Sequence, residues 1–238
     1  MKFSQRWKAR LGGLVLGWLL MAGCSEESLR AQEVQHHGLV FERWIADTFF
    51  KGYRPGYTDA WDIPAIVNRD WGGIPVNPKA VKYGTSVDLG DALRQYDIAE
   101  PYLLVLGYWE QRGDYKHFTR VVALRMEPEI KKKLWHPVTR EDLQRLDTLI
   151  KNRSLDYRDV RRRALEIKNQ PPFTEAVISV HPKIDGHGQR RLQCSLSFAH
   201  VFEYLAEGED PSPQEKAVLW GQPVPSPIFS PPRRFSSE

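Results

Sequence analysis

Apolar residues recur along this chain at two different periods, and the change between them marks its elements. From residue 39 onward Phe41, Trp44, Ile45 and Phe49 fall at helical spacing, and Gly52 with Pro55-Gly56 ends that helix. Glu42 stands beside the buried stripe. Residues 57–64 read as a short strand or turn carrying Asp62, and Asn68-Arg69-Asp70 with Gly72-Gly73 turns the chain into a strand over 74–81. Two near-continuous apolar runs of strand length, 102–109 and 118–126, flank the turn-like Gln111-Arg112-Gly113-Asp114 and predict a central hairpin. Thr139-Arg140-Glu141-Asp142 opens a helix whose apolar face is Leu143, Leu146, Leu149 and Ile150, and a highly charged helix follows over 156–169. Strands are expected over 176–180 and 190–196, and a helix over 197–205 that buries Phe198, Val201, Phe202 and Leu205. No internal repeat is visible.

The two ends differ from this middle. Lys2, Arg6, Lys8 and Arg10 precede an apolar run over 11–23 that is too short to span a bilayer, which reads as a signal peptide. The run ends Met21-Ala22-Gly23-Cys24, which resembles the bacterial lipobox; the resemblance implies acylation of Cys24 and a mature protein tethered by lipid to the cell envelope, facing the periplasm or in the outer membrane. Residues 1–23 are then the lipoprotein signal peptide, 24–35 a polar tether, 36–208 one globular domain, and 209–238 a tail. Seven of the 17 prolines lie after Asp210, so the tail is expected to be extended and mostly disordered, with Val218-Leu219-Trp220 docking locally.

Composition narrows the classes. With Cys24 acylated, Cys194 has no partner, so stability must come from a packed core, for which 41% hydrophobic residues and 8 Trp, 9 Tyr and 10 Phe suffice. The net charge of +4 is unevenly placed, in Lys131-Lys132-Lys133, Arg161-Arg162-Arg163, and Lys183 with Arg190-Arg191, clusters that suit a phosphate backbone or an anionic lipid surface. His36-His37, His181, His187 and His200 lack the spacing of a zinc site, and no Gly-x-Ser-x-Gly occurs.

Asp62 is followed by Asn77-Pro78-Lys79. In a strand, residues two apart share a face, so Asn77 and Lys79 point the same way, and the Pro78 carbonyl can supply a further oxygen to a hard divalent ion anchored by Asp62. Pro78 removes a ladder donor, so its strand is either an edge or a bulge. Singly, Asp62 also fits a turn or cap and Lys79 an exposed lysine; the ordered set of Glu42, Asp62, Asn77 and Lys79 with strand signals between is what points to a phosphodiesterase centre.

Over roughly residues 36–205 the set resembles the PD-(D/E)XK nucleases, most closely their type II restriction endonuclease-like branch. The resemblance implies an α/β fold, a central mixed β-sheet flanked by helices, in which Glu42, Asp62, Asn77 and Lys79 are catalytic and Glu42, Asp62, Asn77 and the Pro78 backbone oxygen hold Mg²⁺ or Mn²⁺. Asn77 stands where the family usually has a second acid. Lys183, Arg190, Arg191 and Gln193 resemble a late strand of such proteins and are the candidate DNA contacts. The expected partners are DNA, the membrane through the N-terminal lipid, and a second copy of the chain in a homodimer. Three functions fit: a lipid-anchored divalent-metal-dependent DNA endonuclease; a non-catalytic envelope lipoprotein that binds nucleic acid or another polyanion on the same scaffold; or a cytosolic restriction enzyme whose start is set too far upstream.

Overall fold

The computed structural model describes residues 26–56 and 60–232. Cys24 and the segment read as a signal peptide lie outside them. Helix α1 (Glu26–Phe49) takes in most of the segment read as a tether. After it come β1 (Val76–Lys82), β2 (Val87–Asp91), α2 (Ala92–Asp97) and the hairpin of β3 (Tyr102–Arg112) and β4 (Tyr115–Met126). Three helices follow, α3 (Pro128–Trp135), α4 (Arg140–Lys151) and α5 (Tyr157–Lys168), then β5 (Ser179–Ile184) and β6 (Arg190–Leu196). The segment expected to be one helix is a single α-turn, α6 (Phe198–His200), running into a π-helical turn over Val201–Leu205.

The fold is mixed α/β with two principal sheets. One has the order β1-β3-β4 and is completed by a short C-terminal strand (Ile228–Phe229) beside β4, with β1 parallel to β3 and the β3–β4 pair antiparallel; the other is antiparallel, β2-β6-β5. Helix α1 covers one face of the first sheet. Its other face is covered by the second sheet together with helices, rather than by helices alone.

The β3–β4 hairpin reads as continuous apolar sequence because both of its faces are buried. Tyr102, Leu104, Leu106 and Tyr108 point into the larger core, shared with Leu143, Leu146, Ile150, Leu192 and Leu196. Val105 and Phe118 point the other way, onto Phe41 and Ile45 of α1. Gly107 makes that second contact possible: a Cβ there would sit 2.6 Å from Phe41 Cζ and 2.8 Å from Phe118 Cε1. Helix α4 opens where the sequence places it, and Thr139 and Asp142 close a capping box at its start.

The tail is a correction. Instead of extending into solvent, residues 211–232 run back over the first sheet through three two-residue strands, β7 (Val218–Leu219), β8 (Gln222–Pro223) and β9 (Ile228–Phe229), the last paired with β4. Ala217, Leu219, Val224 and Ile228 are buried in the α1-side core. Prolines rule out a long strand but not two-residue ones, and the intervening apolar residues supply the packing.

Candidate functional site

Residues 61–77 form a loop that returns on itself. Ile63 and Val76 exchange both backbone hydrogen bonds, 3.2 and 2.8 Å, as an isolated antiparallel bridge. The intervening turn is held by fully buried Asn68, whose amide donates to the carbonyls of Trp71 (3.3 Å) and Ile74 (2.7 Å) and accepts from the Trp71 N–H (3.1 Å). In an antiparallel pair the neighbours of such a bridge lie opposite each other on the other face, with Cα atoms about 4.5 Å apart. Asp62 and Asn77 flank that bridge, and Lys79, two residues on along β1, shares the Asn77 face of the strand and lies close enough to Asp62 for its charge to act on it.

Pro78 sits where its missing N–H costs nothing. The Pro75 carbonyl and the Tyr83 N–H both bond to β3, which puts residues 77, 79 and 81 in the β3-facing register and points the backbone of 76, 78 and 80 outward. No register shift interrupts the β1–β3 pairing, so Pro78 marks an edge, not a bulge. Its carbonyl is directed away from β3, and its lack of an N–H ends the pairing with the Asp62 segment after one bridge.

Glu42 comes from α1, one residue beyond buried Phe41, and is itself half-buried. Burial first, and then the charge of Asp62, push its carboxyl up to about 7, with Lys79 pulling the other way. Asp62 is also raised by burial, against the opposing pull of Lys79 and Arg94. Among the described residues the side chains of Glu42, Asp62 and Lys79 make no hydrogen bond or close ion pair, and the Asn77 Oδ1 is buried without a partner. Unpartnered buried oxygens such as that of Asn77 are uncommon in folded proteins, and Glu42, Asp62 and Lys79 lie near enough to one another to shift each other's titration.

Arg94, which nothing in the sequence singles out, belongs here. It lies on α2, donates through Nη2 to the Ala60 carbonyl and places its charge near Asp62. Nothing local announces it, because the contact spans 34 residues.

The structure divides the expected DNA-facing set. Lys183 and Arg191 are exposed and opposite each other in the β5–β6 register, with Gln193 on the same face. Arg190 points the other way, and its guanidinium donates to the carbonyls of Ile150 (3.3 Å), Asn152 (3.2 Å) and Leu155 (3.3 Å), which fixes the end of α4 and the turn into α5. The lysine tract is divided too. Lys131 is buried with its ammonium on the carbonyl of Ile98, and only Lys132 and Lys133 face solvent.

No protein-family model matches the chain, and no similar curated protein or solved structure was found. The site's chemistry is therefore argued from its own donors. Among the described residues no three His, Cys, Asp or Glu side chains group closely enough to hold a metal ion. Glu42 and Asp62 are two carboxylates; the Asn77 amide oxygen and the Pro78 carbonyl are the remaining oxygens. That donor set fits a hard ion of the Mg²⁺ type, which takes one or two carboxylates, keeps several waters and completes its shell with a phosphate ligand.

Proposed function

We propose that the protein is a divalent-metal-dependent phosphodiesterase acting on DNA, on a restriction endonuclease-like scaffold tethered to the bacterial cell envelope by lipid at Cys24. The observation that carries this reading is the electrostatic proximity of two desolvated carboxylates, Glu42 and Asp62, to Lys79, on the edge strand that also carries the unpartnered Asn77 oxygen. The antiparallel Asp62 segment beside the strand of Lys79 supports the scaffold assignment. Mg²⁺ or Mn²⁺, when bound, would neutralise charge on the non-bridging phosphate oxygens and make a water nucleophilic.

The chain's own residues do the rest. Asp62 supplies the anchoring anion, Glu42 a second one once its proton leaves near neutral pH, and Asn77 and Pro78 neutral oxygens. Lys79 keeps a fixed positive charge beside the scissile phosphate, and Arg94 holds a second within reach of the same carboxylate. Lys183, Arg191 and Gln193 offer a polar sheet face to the phosphate backbone. Arg190 supports that strand from behind.

The test is plasmid cleavage and Mn²⁺ binding by the purified protein and three variants. Asp62→Ala should lose both, whereas Lys79→Ala should keep metal and lose about 10²–10³ in rate. Asn77→Asp should tighten metal binding. A second reading, a non-catalytic polyanion-binding lipoprotein, is favoured by the neutral Asn77 and by the presence of only two acids. It takes over when the wild type and all three variants neither bind a divalent ion nor cut.

A further inference from the structure

Trp220 has a conformation that the chain has no local reason to choose. It stands at φ 47°, followed by Gly221 at φ 79°, in the two-residue turn that joins Leu219 to Gln222. Turns with two successive positive φ values favour Asn and Gly, and a bulky residue there is strained unless its surroundings hold it.

Those surroundings are specific. The Trp220 indole stacks on Trp71 with ring centroids 4.3 Å apart and planes 13° apart. Phe49 meets both rings edge-on, at 4.9 Å from Trp220 and 5.3 Å from Trp71. Trp71 lies in the loop that Asn68 closes between Asp62 and Asn77, and Phe49 ends the helix that carries Glu42. One aromatic stack thus ties together the two segments that bring the acids into the site, and the third member comes from the far end of the chain.

We infer that the C-terminal segment is part of the frame of the candidate centre, with Trp220 as a positioning residue that holds the 61–77 loop against α1. The segment is anchored independently on either side of the stack, by the Gln214 N–H on the Thr119 carbonyl (2.6 Å) and the Ser230 N–H on that of Asp114 (2.9 Å). Loss of the indole therefore frees the loop without detaching the tail.

The test uses the full chain and separates strain from positioning, because Trp220→Asn relieves the one while removing the other. Hydrogen exchange of the amides in 61–77 should accelerate in Trp220→Asn and return most of the way in Trp220→Phe, which keeps an aromatic face. Mn²⁺ affinity should fall about tenfold in the same variant, as it does when groups that orient metal ligands are removed. Val160→Ala, buried in the opposite core, should lower stability without either effect. Unchanged exchange in Trp220→Asn, or equal acceleration in Val160→Ala, overturns the inference. The metal measurement rests on the proposed function and the exchange measurement does not. A wild type that binds no Mn²⁺ while its loop still loosens in Trp220→Asn therefore defeats that function and leaves the frame standing.

Discussion

Asp142 and Glu42 are both acids on helices beside buried apolar residues, and the fold treats them in opposite ways. Burial would raise Asp142, but the Thr139 hydroxyl (2.7 Å) and backbone N–H (3.0 Å) and the Arg145 guanidinium outweigh it and hold the carboxyl below its usual range. Glu42 is the more deeply buried of the two, has no donor and lies near Asp62, and its carboxyl rises to about 7. The first acid is neutralised within four residues of sequence. The second is left without a hydrogen-bond donor by segments that meet only in the folded chain. A carboxylate satisfied by its own helix stabilises that helix, whereas one brought in unsatisfied by the tertiary fold is available to a ligand.

The contrast breaks hardest at Asp62. Asp62→Ala should weaken Mn²⁺ binding by about 100-fold or more, since even groups one step removed from a metal cost 10–100-fold; calorimetric titration reads it. Asp142→Ala should leave that affinity unchanged. Next in size is Gly107→Ala, whose methyl would displace Phe41 and with it the helix that carries Glu42. A loss of about 2–3 kcal/mol is expected in urea denaturation.

Acidity separates the two acids by sign. Glu42 has a folded pKa of about 7 above its ordinary value of 4.5, so its contribution to stability is full below about 4.5 and is lost as pH rises through about 7. The expected change is about 2 kcal/mol once solvent screening is allowed for. It should vanish in Glu42→Gln, and metal affinity should rise over the same window as the proton is displaced. Asp142 runs the other way. Its contribution is present above its ordinary pKa and is lost as pH falls through the depressed folded value. Denaturation curves at pH 3, 5 and 8 for wild type, Glu42→Gln and Asp142→Asn read both signs.

The smallest effects fall on the cap itself. Thr139→Ala should cost about 1 kcal/mol. Asp62→Asn, by removing an unpaired half-buried charge, should shift the melting temperature slightly upward, opposite in sign to Asp142→Asn. A melting temperature that drops equally in both would show that Asp62 already has a stabilising partner.

What could be read from the chain follows the same division. The start of α4, its apolar face and the β3–β4 hairpin are local patterns, and each appears where its residues predict it. Glu42, Asp62, Asn77 and Lys79 could be picked out as candidates because charged and amide side chains beside Pro and strand signals are visible in order, and the fold brings the charges of Glu42, Asp62 and Lys79 near one another. Strand β2 and helix α2, of 5 and 6 residues, are too short for periodicity to reveal. Arg94, Trp71 and Trp220 act through partners far along the chain, which no window of sequence contains. Arg190 and Lys131 read as surface charges because nothing in a basic tract says which member turns inward to meet backbone carbonyls.

Pro78 has a consequence for how molecules of this protein meet. A sheet that ends in an exposed strand invites the strand of another chain to continue it, and the first sheet ends at β1. Continuation there needs donors directed outward, and the ring of Pro78 removes one in the middle of the row while the Asp62 segment covers the position beside it. An incoming strand finds a gap and a negative charge in place of a template. The edge thus offers an incoming polypeptide no continuous row of donors to pair with, and the sheet can end at β1 without being extended by a second copy of the chain.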